Sequence, residues 1–113
     1  MEFLPYSVPL RVTYRWAKGE QLERCGLLAR VDLDGAIGCG EMAPPPHETV
    51  DGAARAAEAA AVVDGLDSQD DSFLDQVDGR APYARIRCAI ATAWLSARAV
   101  QQGKSLSTYL AVD

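Results

Sequence analysis

The sequence predicts an α+β protein in which a three-stranded antiparallel meander comes first and an α-helical bundle follows. Three observations lead there. Residues 6–15 alternate apolar and polar with the strand period of two, Asp34-Gly35 joins two short apolar runs as a tight hairpin, and beyond Pro46 the apolar period lengthens to that of a helix. The 113 residues suit a single domain with one core, and 49% hydrophobic with 24% charged residues are ordinary globular proportions. The sheet falls in residues 2–42 and the helical part in residues 48–111.

In the first strand, Tyr6, Val8, Leu10, Val12 and Tyr14 alternate with Ser7, Pro9, Arg11, Thr13 and Arg15, which predicts that the first set is buried and the second wetted. Pro9 cannot donate a ladder hydrogen bond, so this strand belongs at an edge. A second strand is expected over about Gly26–Leu33, with Leu27, Ala29, Val31 and Leu33 on one face and Arg30 and Asp32 on the other. Asp34-Gly35 supplies the two positive-φ positions of a type I′ turn, and Ala36–Glu41 returns as the third strand. Between the first two strands, Trp16–Glu23 reads as a mostly polar, mobile loop with one large aromatic residue at its base.

After the prolines, Val50, Ala53, Ala54, Ala57, Ala60, Ala61 and Asp64 recur at helical spacing, an alanine face that would let a neighbouring helix approach, while Asp51, Arg55 and Glu58 share another face. Thr49 is the expected N-cap, Asp51 and Arg55 an i,i+4 pair, and Gly65 the stop. Asp70-Asp71-Ser72 offers caps for a short helix holding Phe73, Leu74 and Val77. The longest helix is expected to follow Pro82 and run to about Gln102, ending at Gly103, with Ile86, Ala89, Ile90, Ala93, Ala97 and Val100 in one stripe and Trp94 and Leu95 beside it. Ser105 caps a last short helix, Leu106–Ala111. A long helix so apolar needs cover on more than one side, and an uncovered remainder would be a face for self-association or partner docking.

Charge and cysteine usage narrow the function. A formal charge of -5, with Lys18 and Lys104 the only lysines, argues against a nucleic-acid or anionic-membrane surface. No apolar run approaches the length of a membrane span and no signal-peptide pattern opens the chain, so a cytoplasmic protein is expected. Cys25, Cys39 and Cys88 form no C-x-x-C pair, and one histidine with scattered thiols does not make a zinc site, so buried free thiols are expected.

The stretch Cys25–Pro46 carries the residues with most chemical interest. Gly38-x-Gly40 is not followed by a helix start, so its glycines read as serving backbone conformation or close packing at the sheet end rather than a phosphate cradle. Glu41 suits a general acid, a metal ligand or a surface charge paired with an arginine or a backbone amide. His47 is the one side chain of a type whose unperturbed pKa lies near neutrality, and a lone histidine at a helix start is more often a cap or a solvated residue than a catalyst. There is no Ser-His-Asp set, carboxylate pair or lysine base. The residues therefore nominate no catalytic group and no metal ligand in this chain.

The order of features is more telling than any one of them. A strand, a polar loop, a hairpin, Gly38-Cys39-Gly40-Glu41-Met42-Ala43-Pro44-Pro45-Pro46, an alanine-rich helix, then Ala89-Ile90-Ala91-Thr92-Ala93-Trp94-Leu95-Ser96-Ala97 and Gly103-Lys104-Ser105-Leu106, resembles the N-terminal capping domain of the enolase superfamily. Within it the muconate-lactonizing and mandelate racemase-like group is nearest, and in particular the o-succinylbenzoate synthase family. Cys39 stands where these relatives usually have an aromatic residue, Pro45 breaks their usual A-P-L-P, and His47-Glu48-Thr49 follows the prolines at once.

The resemblance implies a lid over the mouth of a C-terminal barrel that is missing here, the chain stopping where the first barrel strand would begin. Mg²⁺ and the catalytic residues would belong to that barrel, and no cofactor to this chain. The substrate-loop candidates are Trp16, Lys18, Met42, Pro44, Pro45 and His47, with Gly38, Gly40 and Glu41 supporting the second loop. The implied substrate is a small carboxylate. The implied reaction is Mg²⁺-assisted removal of the proton α to the carboxylate and β-elimination of water, a lyase step of menaquinone biosynthesis. Racemisation of N-acylamino acids or epimerisation of dipeptides, an isomerase chemistry, shares its first step. A free-standing protein-interaction module is the alternative outside enzymes.

Overall fold

The computed structural model describes residues 1–45, 51–80 and 83–111. Strands β1 (Glu2–Trp16), β2 (Gly19–Leu33) and β3 (Ala36–Met42) form one antiparallel sheet in the order β1-β2-β3, followed by helices α1 (Gly52–Val63), α2 (Phe73–Asp78), α3 (Ala84–Gln101) and α4 (Leu106–Leu110). This is the expected α+β meander and bundle, with β1 and its prolines at an edge. The β2–β3 turn has φ 53° at Asp34 and 90° at Gly35, as the type I′ reading requires, and the Gly35 amide donates to Asp32 Oδ1 at 2.6 Å.

Leu27, Ala29, Val31 and Leu33 are sealed under helices, each no more than 1% exposed. α3 lies along β3 and β2, and α1 packs against β1 and β2. The approach of α3 to β3 depends on the two glycines. A Cβ on Gly38 would overlap the Ala93 carbonyl oxygen and sit 2.5 Å from Ala97 N, and one on Gly40 would overlap the Ala89 carbonyl. The G-x-G pair is thus a packing device, as expected, with Ala89, Ala93 and Ala97 as its counterpart on the helix. The flank of α3 beyond the sheet is covered by α2, whose Phe73 ring lies 6.0 Å from the Trp94 ring. Trp94 Nε1 donates to Ser68 O at 2.8 Å, Arg98 caps the indole face at 4.8 Å and also pairs with Asp71.

Several expectations are corrected. Facing strand residues point to the same side of a sheet, and Phe3 faces Ala29 whereas Tyr6 faces Gly26 and Val8 faces Arg24. Tyr6 and Val8 therefore lie on the face away from the helices, and Val8, Val12 and Tyr14 are exposed. The period of two says which residues share a side, whereas pairing decides which side meets the core. Trp16–Glu23 is not a loop. β1 and β2 continue through it to a two-residue turn at Ala17-Lys18, with Trp16 facing Gly19 and Tyr14 facing Gln21. The extra length of β1 is absorbed between Pro9 and Tyr14, where Leu10–Thr13 face Leu22 alone.

The helices differ in rotation more than in position. α1 buries Ala59 and Val62, with Ala56 and Val63 half-buried, while Ala53, Ala54, Ala57, Ala60 and Ala61 face solvent. Alanines give little burial energy, so the two valines set the rotation. The Asp51 carboxylate caps α1 by accepting from Ala54 N at 3.1 Å, and Arg55 pairs with Glu58 at 2.6 Å instead of Asp51. Thr49, Val50 and Pro82 lie outside the described residues. α2 holds Phe73, Leu74 and Val77 as expected, α3 and α4 match their expected spans within two residues, and Gly103 ends α3 with φ 65°. Ser105 Oγ caps α4 by accepting from Thr108 N at 3.2 Å.

The α3 stripe is buried except for Val100, which is exposed, so the expected uncovered helix face is absent among the described residues. Among the described residues, Leu4, Val8, Leu28 and Ile37 of the sheet are exposed apolar side chains, as are Val12 and Leu22 further along β1 and β2. The three cysteines are free, as expected, but Cys39 and Cys88 are exposed and Cys25 half-buried. No helix among the described residues is long and apolar enough to cross a membrane.

Candidate functional site

Both candidate loops leave the same end of the sheet. β3 pairs with β2 from Ala36 opposite Leu33 to Met42 opposite Leu27, and there its ladder ends. Beyond it, Gly19–Gly26 of β2 continues with β1 alone, eight residues at ~3.3 Å each, so the ribbon stands out by about 26 Å. Leu22 on this ribbon is 63% exposed and Val12 81%. Trp16 folds back on the turn, where a Cβ on Gly19 would meet its ring at 3.5 Å, and its ring lies 5.8 Å from that of Tyr14. Lys18 is exposed in the turn, and Arg15 pairs with Glu20 at 3.4 Å. The tip thus presents an aromatic pair ringed by charges.

At the exit of β3 the picture is more closed. Met42 and Pro44 are buried and Pro45 is half-buried, so Ala43 is the exposed member of the Met42–Pro45 segment. His47 and Pro46 lie outside the described residues. Glu41 points to the open face of the sheet, where its Oε2 accepts a hydrogen bond from the Tyr6 hydroxyl. The bond crosses β2 above Gly26, where a Cβ would collide with the Tyr6 phenol and lie 2.6 Å from Met42 O. Partial burial, then the Glu41 carboxylate, push the Tyr6 phenol up to about 12.

Tyr6 and Gly26 were not among the sequence candidates. The signal that would have found them is the register, which aligns Tyr6 with Gly26, but that alignment passes through the irregular stretch between Pro9 and Tyr14. A second polar chain sits on the helix-side face, where Ser7 Oγ donates to Glu23 Oε2 at 2.8 Å and the Cys25 thiol lies 3.6 Å from Ser7 Oγ. A shallow, open concavity of about 250 Å³ is lined by Glu58, Ala61, Val62 and Arg80. Arg80 there donates to Asp64 O at 2.7 Å and closes the C-terminal end of α1. Among the described residues, no three His, Cys, Asp or Glu side chains gather as a metal site.

The solved structure of a mandelate racemase/muconate lactonizing protein from Herpetosiphon aurantiacus matches 89% of this chain with TM-score 0.68 and 24% sequence identity. The fold is enolase N-terminal-like. This enolase N-terminal-like chain spans 30% of the length of the protein it matches. No protein-family model matches the chain, and neither does any curated protein. In the enolase N-terminal-like frame, the meander that bears the ribbon and the Glu41 exit are the parts that place Trp16, Lys18 and the Met42–Pro45 segment at one end of the sheet.

Proposed function

We propose that this chain is the substrate-specificity lid of an enolase-superfamily enzyme of the o-succinylbenzoate synthase kind, acting with a C-terminal barrel outside the sequence given. The observation that carries the reading is that an enolase N-terminal-like fold sends both candidate loops, the Trp16–Lys18 tip and the Met42–Pro45 segment, from one end of its sheet. A protruding ribbon with an aromatic tip, and beside it the exposed Ala43 of a proline-stiffened segment, are suited to closing over a small carboxylate substrate and excluding water. Trp16 would supply apolar contact, and Lys18 a cation for the substrate's carboxylate.

The implied Mg²⁺ finds no ligand cluster among the described residues, so its site and the proton transfer belong to the barrel in this reading. Dehydration is preferred, and racemisation of N-acylamino acids or epimerisation of dipeptides is the isomerase variant of the same lid. The reading as a free-standing interaction module draws on the exposed Leu4, Val8, Leu28 and Ile37 of the sheet.

The test is to assay the protein that carries the barrel for Mg²⁺-dependent formation of o-succinylbenzoate, with N-acylamino acid and dipeptide substrates in parallel. Trp16→Ala and Lys18→Ala are expected to shift the ratio of kcat/KM between substrates by about 10- to 100-fold, the scale of one pocket contact. Turnover by the 113-residue chain alone would overturn the reading, as would a complete lack of all three activities in the longer protein.

A further inference from the structure

We infer that Tyr6 is a positioning residue of the Met42–Pro45 segment, and that its bridge over Gly26 to Glu41 sets the direction in which that segment leaves the sheet. The functional meaning rests on the lid reading above, whereas the geometry does not. One hydrogen bond here spans all three strands, from β1 at one edge to β3 at the other. It lands one residue before Met42, the last β3 residue paired to β2. Ladder ends fray most readily, so a cross-link at that point acts where the backbone is otherwise least restrained.

The absence of a side chain at position 26 is what makes the bridge feasible. A Cβ there would occupy the path of the Tyr6 phenol and press on the Met42 carbonyl at 2.6 Å. Gly26 thus serves two ends at once: it lets the phenol cross, and it lets the backbone at Met42 come close. The bond is also dependable. Arg24 favours the ionised phenol, but burial and Glu41 outweigh it, so the hydroxyl keeps its proton throughout the neutral range.

Beyond the bridge the chain is stiff. Pro44 and Pro45 have fixed φ, and each restricts the residue before it to extended conformations. Pro44 is also buried, which seats the segment against the domain. An orientation imposed at Glu41 is therefore carried along Ala43–Pro45 with little loss. A flexible segment would have dissipated it within a residue or two.

The experiment uses amide hydrogen exchange of the 113-residue chain, comparing Glu41, Met42 and Ala43 with Val31 and Gly38. Tyr6→Phe keeps the ring and removes the donor. Exchange at residues 41–43 is expected to quicken by roughly tenfold, the effect of losing one hydrogen bond to a charged group, with Val31 and Gly38 changed by less than about twofold. Glu41→Gln, which retains an accepting oxygen, is expected to fall between wild type and Tyr6→Phe.

In the same Glu41→Gln variant, the highest component of the tyrosine absorbance titration is expected to move down from about 12 as the carboxylate's share of the shift is lost, while burial, the larger cause, keeps the Tyr6 phenol above its ordinary value of 10.0. Unchanged exchange at residues 41–43 in Tyr6→Phe would overturn the inference. So would a uniform increase at all five positions, which marks general destabilisation. Failure of the lid reading would show instead in the activity of the barrel-bearing protein and would leave these measurements untouched.

Discussion

Replacing Gly38 with alanine is expected to destabilise the chain by about 3 kcal/mol or more, at or beyond the upper end of the range for overpacked cores. The added Cβ would overlap the Ala93 carbonyl oxygen and sit 2.5 Å from Ala97 N and 3.0 Å from Ala97 Cβ. Ordinary contact needs about 3.5 Å, so α3 must retreat by about 1 Å to clear Ala97 N and by more to clear the Ala93 carbonyl oxygen. Two of the three obstructing atoms belong to the helix backbone, and no side-chain rotation relieves them. A gap of that size forfeits roughly a quarter to a half of the dispersion energy at each separated contact, along a seam where Ala89, Ala93 and Ala97 are at most 1% exposed.

The loss is large against a total stability of roughly 6–17 kcal/mol for 113 residues at ~0.05–0.15 kcal/mol per residue. Urea unfolding followed by Trp94 fluorescence in a Trp16→Phe background measures it. Gly79→Ala is the control, because Gly79 has φ -70° and ψ -17° and a Cβ there meets nothing closer than 3.5 Å. That variant is expected to gain about 0.4–1 kcal/mol through the unfolded chain. A Gly38→Ala midpoint within about 0.5 kcal/mol of wild type would refute the close-approach argument. Equal losses at both glycines would refute it too.

Other consequences follow from the same structure. Asp51→Ala removes the cap on Ala54 N and should cost about 1 kcal/mol in the same assay, with Asp51→Ser or Asp51→Asn recovering most of it. Phe73→Ala empties a site that is 1% exposed beside Trp94 and should cost roughly 3–5 kcal/mol, with a red shift of Trp94 emission. At alkaline pH the Tyr6 phenol, raised to about 12 by folding, keeps a proton that the unfolded chain releases near 10.0. Its contribution to stability is therefore complete below pH 10.0 and declines as pH rises through about 12, and Tyr6→Phe should flatten that part of the stability–pH curve.

Much of the fold was legible because local chemistry and tertiary need agree. Asp34-Gly35 supplies both positive-φ positions, Leu27–Leu33 alternates cleanly, and Phe73 with Val77 marks the buried side of a short helix. Reading failed where one local pattern fits two arrangements. The alternation in β1 is equally regular with Tyr6 inward or outward, and pairing through Gly26 turns it outward. The alanines of α1 lie on every side of the helix, so they could not report its rotation, which Val62 and Val63 decide. Trp16–Glu23 looks like a loop by composition, yet Trp16 against Gly19 and Arg15 against Glu20 continue the ladder. In the candidate site, Trp16, Lys18 and Glu41 could be chosen from sequence as residues. That Glu41 is held by Tyr6 across a strand without a side chain could not.

The sequence by itself determined the elements, their order and the class of architecture. Turn stereochemistry and the switch from a period of two to one near 3.6 are properties of residues a few positions apart. The tertiary structure alone decided which face of β1 meets solvent, how α1 is rotated, which helix atoms press on Gly38 and Gly40, and that Tyr6 reaches Glu41. Those outcomes depend on which atoms arrive from distant parts of the chain: Ala93 and Ala97 over Gly38, or Tyr6 over Gly26. A side chain excluded by steric overlap leaves no local trace except a glycine whose reason lies elsewhere.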